Sequence, residues 1–152
     1  MLIRAATLMD VDDWVGLRSE LWPGTSPDAH RDEAVAMLAK VPGEGLVLLA
    51  VDPAGGVRAF AEAALRRDHV NGCETSPVAF LEGIYVRSGN RGSGLGRDLT
   101  RAVECWARDL GCAELASDAL LENVGSHGFH EAVGFEETAR VVFFRKRLEA
   151  RG

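Results

Sequence analysis

Apolar residues along this chain recur at two spacings, one suited to helices and one to strands, and the switches between them outline the fold. Ile3 to Ala6 reads as a short strand. Thr7 with Asp10 forms a helix-capping pair. Trp14, Leu17 and Leu21 then fall on one helical face, which leaves Arg18 and Glu20 for solvent. Trp22-Pro23-Gly24 ends that helix, because proline and glycine both interrupt the ladder. A second helix is expected after Ser26-Pro27-Asp28, with Val35 and Leu38 on its buried face.

Gly45 to Asp52 is a continuous apolar run of strand length, and Pro53-Ala54-Gly55-Gly56 turns it back into a second strand, Val57 to Leu65. Arg66, Arg67 and Asp68 read as its solvated end. After a polar loop containing Asn71-Gly72, Val78 to Val86 predicts a third strand that runs into the glycine-rich segment Gly89 to Gly96. Leu99, Val103, Trp106 and Leu110 then mark one face of a helix, with Gly111 as its C-terminal cap. Glu114 to Ser117, Val124 to Ala132 and Thr138 to Lys146 complete the pattern as strand, helix and final strand. The order β-α-α-β-β-β-α-β-α-β predicts one α/β (α+β) domain over residues 1–152. Its mixed central sheet has an early antiparallel meander and a late β-α-β unit.

Composition narrows the function classes. With 47% hydrophobic and 26% charged residues, the 152-residue chain has an ordinary globular make-up. A net charge of −6 disfavours nucleic acid and anionic membrane surfaces as partners and suits a cationic one. No apolar run reaches the roughly 18 to 20 residues of a membrane span. Met1 to Asp10 lacks the charged and apolar regions of a signal peptide, so a cytoplasmic location is expected. Cys73, Cys105 and Cys112 are odd in number and lack C-x-x-C spacing, which fits reduced thiols.

The clearest chemical signal is Arg91-Gly92-Ser93-Gly94-Leu95-Gly96, set between a predicted strand and helix. Glycines let the backbone turn tightly and approach a ligand closely. Successive N–H groups and the helix N-terminus behind them favour a diphosphate. There is no Gly-Lys-Ser/Thr, which excludes a Walker A loop, and the spacing is not G-x-G-x-x-G.

Arg91, Gly94 and Gly96 form an Arg-x-x-Gly-x-Gly pattern that resembles the acetyl-CoA signature of the GNAT superfamily. Asn123, Ser126 and Gly134-Phe135 resemble a second segment of that superfamily. A closer resemblance, to the aminoglycoside 6′-N-acetyltransferases, covers nearly the whole chain. It is carried by Leu21-Trp22-Pro23-Gly24, by His69 to Pro77, by Phe80 to Val86, by Ala116-Ser117-Asp118 and by Gly134 to Thr138.

This resemblance implies a GNAT fold, acetyl-CoA as co-substrate and a homodimer; the apolar Val141-Val142-Phe143-Phe144 strand suits either a subunit interface or an ordinary core strand, and no metal is expected. It also implies acetyl transfer to the 6′ amine of an aminoglycoside, conferring antibiotic resistance. Tyr85, Val86, Arg91, Gly92, Ser93, Gly94, Leu95, Gly96 and Asn123 are then expected to bind the coenzyme, and Trp22, His69, Glu82 and Asp118 the drug. Glu82 is the candidate base acting through water, Asp118 its positioning partner, and His130 the candidate proton donor to the leaving thiolate.

Three positions depart from the family pattern. His69 stands where an aromatic residue, often tyrosine, precedes Val-Asn-Gly. Ala139 replaces an acidic residue, and His130 replaces a tyrosine. Read from the residues alone, Glu82 equally suits a strand ion pair, Asp118 a turn cap and Trp22 a core anchor. His127 and His130 have the i, i+3 spacing of metal ligands, with no third ligand in evidence. His30 and His69 read as exposed. A GNAT enzyme for another amine and a non-catalytic acyl-CoA-binding module are the alternative functions.

Overall fold

A computed structural model of the chain describes residues 1–41 and 43–151. The elements are β1 (Leu2–Ala5), a 3-10 turn at Leu8–Asp10, α1 (Val11–Leu21), α2 (Pro27–Leu38), β2 (Gly45–Val51), β3 (Val57–Arg66) and β4 (Val78–Val86). A second 3-10 turn at Ser88–Asn90, α3 (Leu95–Asp109), β5 (Leu115–Ser117) and α4 (Val124–Ala132) follow. Two compact units result, Met1–Asp118 and Ala119–Gly152. No helix among the described residues is long and apolar enough to cross a membrane.

The first unit is a five-stranded sheet in chain order, antiparallel from β1 to β4 and parallel between β4 and β5. The β4–α3–β5 crossover is the expected β-α-β unit. β2 is buried on both faces, as its unbroken apolar run requires. Val47, Leu49 and Val51 join Trp14, Leu17 and Met37 in one core, so α1 and α2 cover that face. The opposite face carries α3, whose Ala107 packs with Ala79 of β4. At its C-terminus Gly111 adopts φ +81°. Gly111 N–H then reaches the Arg108 carbonyl and Cys112 N–H the Ala107 carbonyl, both at 2.9 Å, which closes a Schellman motif.

Several expectations need correction. Arg18 is buried at 4% exposure, and His30 is fully buried. On α2 the inward face holds His30, Ala34 and Met37, while Val35 is exposed and Leu38 only half-buried. Helical spacing alone does not tell which of two adjacent stripes turns inward. The final strand at Thr138–Lys146 is absent. Residues 135–151 have no regular secondary structure, and Phe143 and Phe144 are over 90% exposed. A strand needs a ladder partner and a covered face, and this segment has neither within its unit.

The start of α1 is held by Asp10. Its carboxylate accepts from the Thr7 N–H at 2.8 Å and from both terminal nitrogens of Arg4 at 2.8 Å. The Arg4 guanidinium, more than the Thr7 bonds, pulls the Asp10 carboxyl down to about 2. A depressed carboxyl contributes fully above its unfolded value, near 4, and the contribution disappears as pH falls through about 2. Asp10→Asn should therefore cost roughly 2 kcal/mol at pH 7. In thermal unfolding the gap to the parent should close as pH drops from about 4 to about 2. A gap independent of pH would contradict this origin.

Candidate functional site

β3 and β4 do not pair evenly. Glu62 faces Gly83 and Ala63 faces Leu81, so Glu82 is the extra residue of a β-bulge. A bulge bends its strand and re-aims one side chain. Here it presents Glu82 to a cavity of about 380 Å³ between the α1–α2 connection and the sheet, bordered also by Trp22, Thr25, Glu33 and Lys40.

Trp22 closes one side of this cavity. Its ring lies over the Gly83 backbone so closely that a Cβ at 83 would come within 2.7 Å of Trp22 Cζ2 and nearer still to Cη2. Phe60 and His30 hold the ring from other sides, at centroid distances of 6.1 and 6.3 Å. His30 Nδ1 accepts from Arg18 Nε at 3.3 Å, which leaves the Nε2 hydrogen to bond the Trp22 carbonyl at 3.0 Å. The Arg18 guanidinium stacks 4.9 Å from the Trp22 ring and pairs with Glu62 and Glu33. Burial pushes the Glu62 carboxyl up, and Arg18 and the Trp14 indole N–H oppose that shift. Nothing in the spacing of α1 signalled Arg18, and nothing in that of α2 signalled His30. The only available hint was a polar pair flanking the Trp22 turn.

Glu82 is already engaged. Arg66 Nη2 lies 2.9 and 3.1 Å from its two oxygens, and the guanidinium sits 3.6 Å over the Phe80 ring. Arg66 is therefore part of the site and not merely a solvated strand end. Asp118 follows Ser117, the last residue of β5, which pairs with Leu81, and it does not border the cavity. His69 is exposed in the loop after β3 and does not border the cavity. That loop is fastened by Glu114, whose carboxylate accepts from the Glu74 and Thr75 N–H groups at 2.9 and 2.7 Å. These bonds, with the Thr75 hydroxyl, hold the Glu114 carboxyl below its usual value.

The glycine-rich turn suits a diphosphate. Gly92 and Gly94 take φ +81° and +87°, values that only glycine adopts readily. Arg91 to Gly94 are exposed ahead of α3, whose first N–H groups lack helical acceptors. Arg91 bonds the Val86 carbonyl at 2.9 Å and lies 5.5 Å from the Tyr85 ring, which fixes the turn to the end of β4. Ser93 Oγ donates to the Asn90 carbonyl at 2.6 Å, and buried Leu95 anchors the helix behind.

In the second unit, Asn123 caps α4 by accepting from the Ser126 N–H at 3.2 Å. His130 lies against Phe135, with Nδ1 2.6 Å from the Ser126 carbonyl. His127 bonds the Leu120 carbonyl at 2.9 Å. Among the described residues no group of three metal-ligating side chains forms.

Residues 11–135 match the acetyltransferase (GNAT) family. An aminoglycoside N(6′)-acetyltransferase type 1 of Stenotrophomonas maltophilia is 51% identical over 97% of this chain and 94% of its own length. The protein of the same description from Serratia marcescens is 48% identical over 91% and 94%. Among solved structures, the apo 6′-N-acetyltransferase AAC(6′)-IG of Acinetobacter haemolyticus superposes with a TM-score of 0.91 at 44% identity, covering 98% of this chain and 100% of that one. AAC(6′)-Iy, in complex with the bisubstrate analog CoA-S-monomethyl-acetylneamine, gives 0.88 at 42% identity, covering 97% and 98%.

Because a side chain at 83 collides with the Trp22 ring, Gly83→Ala should displace the indole and lower stability by about 1–3 kcal/mol. Thermal unfolding and tryptophan fluorescence read both effects. An unchanged melting temperature with unchanged emission would show that the ring is not wedged against this strand.

Proposed function

This chain belongs to the acetyltransferase (GNAT) family and, within it, to the aminoglycoside N(6′)-acetyltransferases, and we infer that it transfers the acetyl group of acetyl-CoA to a primary amine of an aminoglycoside. The observation that carries this reading is the bulged Glu82 beside Trp22, which sets a carboxylate for an ammonium group next to an aromatic face for a sugar at one cavity. We assign the acetylated position to the 6′ amine, with drug resistance as the consequence. A match that runs from residue 11 to 135 supports treating 1–152 as one acetyltransferase domain.

The Arg91–Gly96 turn and the first N–H groups of α3 supply donors for the coenzyme diphosphate, and the end of β4 near Tyr85 and Val86 for the thioester carbonyl. We assign Asn123 to the coenzyme as well. Bound there, acetyl-CoA supplies an acyl group already activated as a thioester. The protein's own task is to orient one amine and remove its proton, since a primary amine reaches the site mostly as ammonium at neutral pH. A carboxylate in direct contact would favour the charged form. We therefore assign Glu82 to take the proton through a water molecule. Asp118 is assigned to another part of the drug, Trp22 covers a sugar face or a cation, and His130 donates a proton to the leaving thiolate.

The apolar run Val141-Val142-Phe143-Phe144 supports a homodimer in which this segment pairs or packs across the subunit interface. The free thiols of Cys73, Cys105 and Cys112 support a cytoplasmic location.

Release of free coenzyme A thiol, followed with kanamycin, tobramycin and spermidine as parallel acceptors, tests the reaction, and NMR of the product locates the acetyl group. Turnover with the two drugs alone is expected, with Glu82→Gln reducing it about tenfold or more. Turnover with spermidine alone would turn the assignment to another amine. Phe144→Asp should shift the protein from dimer to monomer on a sizing column. A monomeric parent protein would remove the dimer.

A further inference from the structure

The cation on Glu82 belongs to the protein itself. Arg66 places one terminal nitrogen against both carboxylate oxygens and holds its guanidinium 3.6 Å over the Phe80 ring, so an acceptor ammonium adjoining the reacting amine can pair with Glu82 only by displacing it. We propose that Arg66 is a built-in competitor for the acceptor's ammonium group, a specificity-determining residue that each incoming substrate must displace. The proposal rests on the reading of Glu82 as the carboxylate that receives the acceptor.

Three observations make the displacement workable. The pair is part-exposed, with 43% of the Arg66 side chain and 32% of the Glu82 side chain open to solvent, so it is weakly held and screened. Arg66 is the last residue of β3, paired with Val78, which leaves its long side chain free to swing while its backbone stays in the sheet. Neighbouring Arg67 is committed to Glu44 at 2.6 Å and is not placed to take over.

The consequence is selection by charge number. An amine with a single ammonium that takes Glu82 exchanges one ion pair for another and gains little. An acceptor with several ammonium groups makes the same exchange and also reaches Glu33, which is exposed on the cavity wall and paired with Arg18, not Arg66. Arg66 thereby sets a threshold that a polycation crosses and a simple amine does not.

Arg66→Gln keeps the length of the side chain and removes its charge. The test is steady-state kinetics of the parent, R66Q, E82Q and R66Q/E82Q with kanamycin, with the KM for acetyl-CoA and the circular dichroism spectrum as controls on folding. The proposal expects R66Q to lower the kanamycin KM about threefold with a smaller change in kcat, and to have no effect in the E82Q background. Arg66→Lys should restore most of the parent KM. If E82Q raises KM while R66Q leaves it unchanged or raises it, the role of Glu82 stands and the competitor is overturned. If E82Q leaves KM unchanged, the reading of Glu82 as the acceptor carboxylate fails, and the competitor with it.

Discussion

The guanidinium of Arg18 lies between the indoles of Trp14 and Trp22, 6.0 and 4.9 Å from their ring centroids, and almost no solvent reaches it. A charge so removed from water is tolerated only where partners replace its hydration. Glu62 from β3, Glu33 from α2 and the ring nitrogen of His30 do so. Those partners come from different elements, so the need to satisfy one side chain fixes how α1, α2 and the sheet meet. Trp22 inherits its position from this arrangement, through the cation beneath its ring and the His30 bond to its carbonyl.

Two kinds of precision mark the two proposed sites. At the turn proposed for the coenzyme it lies in the backbone, where positive φ angles at Gly92 and Gly94 open a turn at a helix terminus. At the proposed acceptor site it lies in the irregularity between β3 and β4, which breaks the alternation of side chains at Glu82. Regular pairing would turn the side chains beyond this point to the opposite face of the sheet.

The division between what the residues disclosed and what they concealed follows the same physics. β4 and α4 match their expected spans residue for residue, because one is a bounded apolar run and the other lies between turn-forming residues. The glycine-rich turn was legible because glycine spacing is itself a backbone statement. Arg18 and His30 were misplaced because periodicity weighs a residue by its ordinary polarity and cannot foresee a partner 44 positions away in Glu62. The bulge at Glu82 was invisible for a related reason, since register belongs to two strands and neither sequence alone contains it. Thr138 to Lys146 has the composition of a strand, but within its own unit it has no neighbour to pair with.

The contact between Trp22 and the Gly83 backbone also governs how this pocket can change over time. Every amino acid other than glycine carries a Cβ, so no substitution at position 83 leaves the indole where it is. Reducing the ring at position 22 makes room for such a Cβ but empties space against Phe60, His30 and Arg18, which has a cost of its own. The two positions are therefore tied, and a change at either alters what the other can hold. A lineage diversifying its acceptors would be expected to change them together.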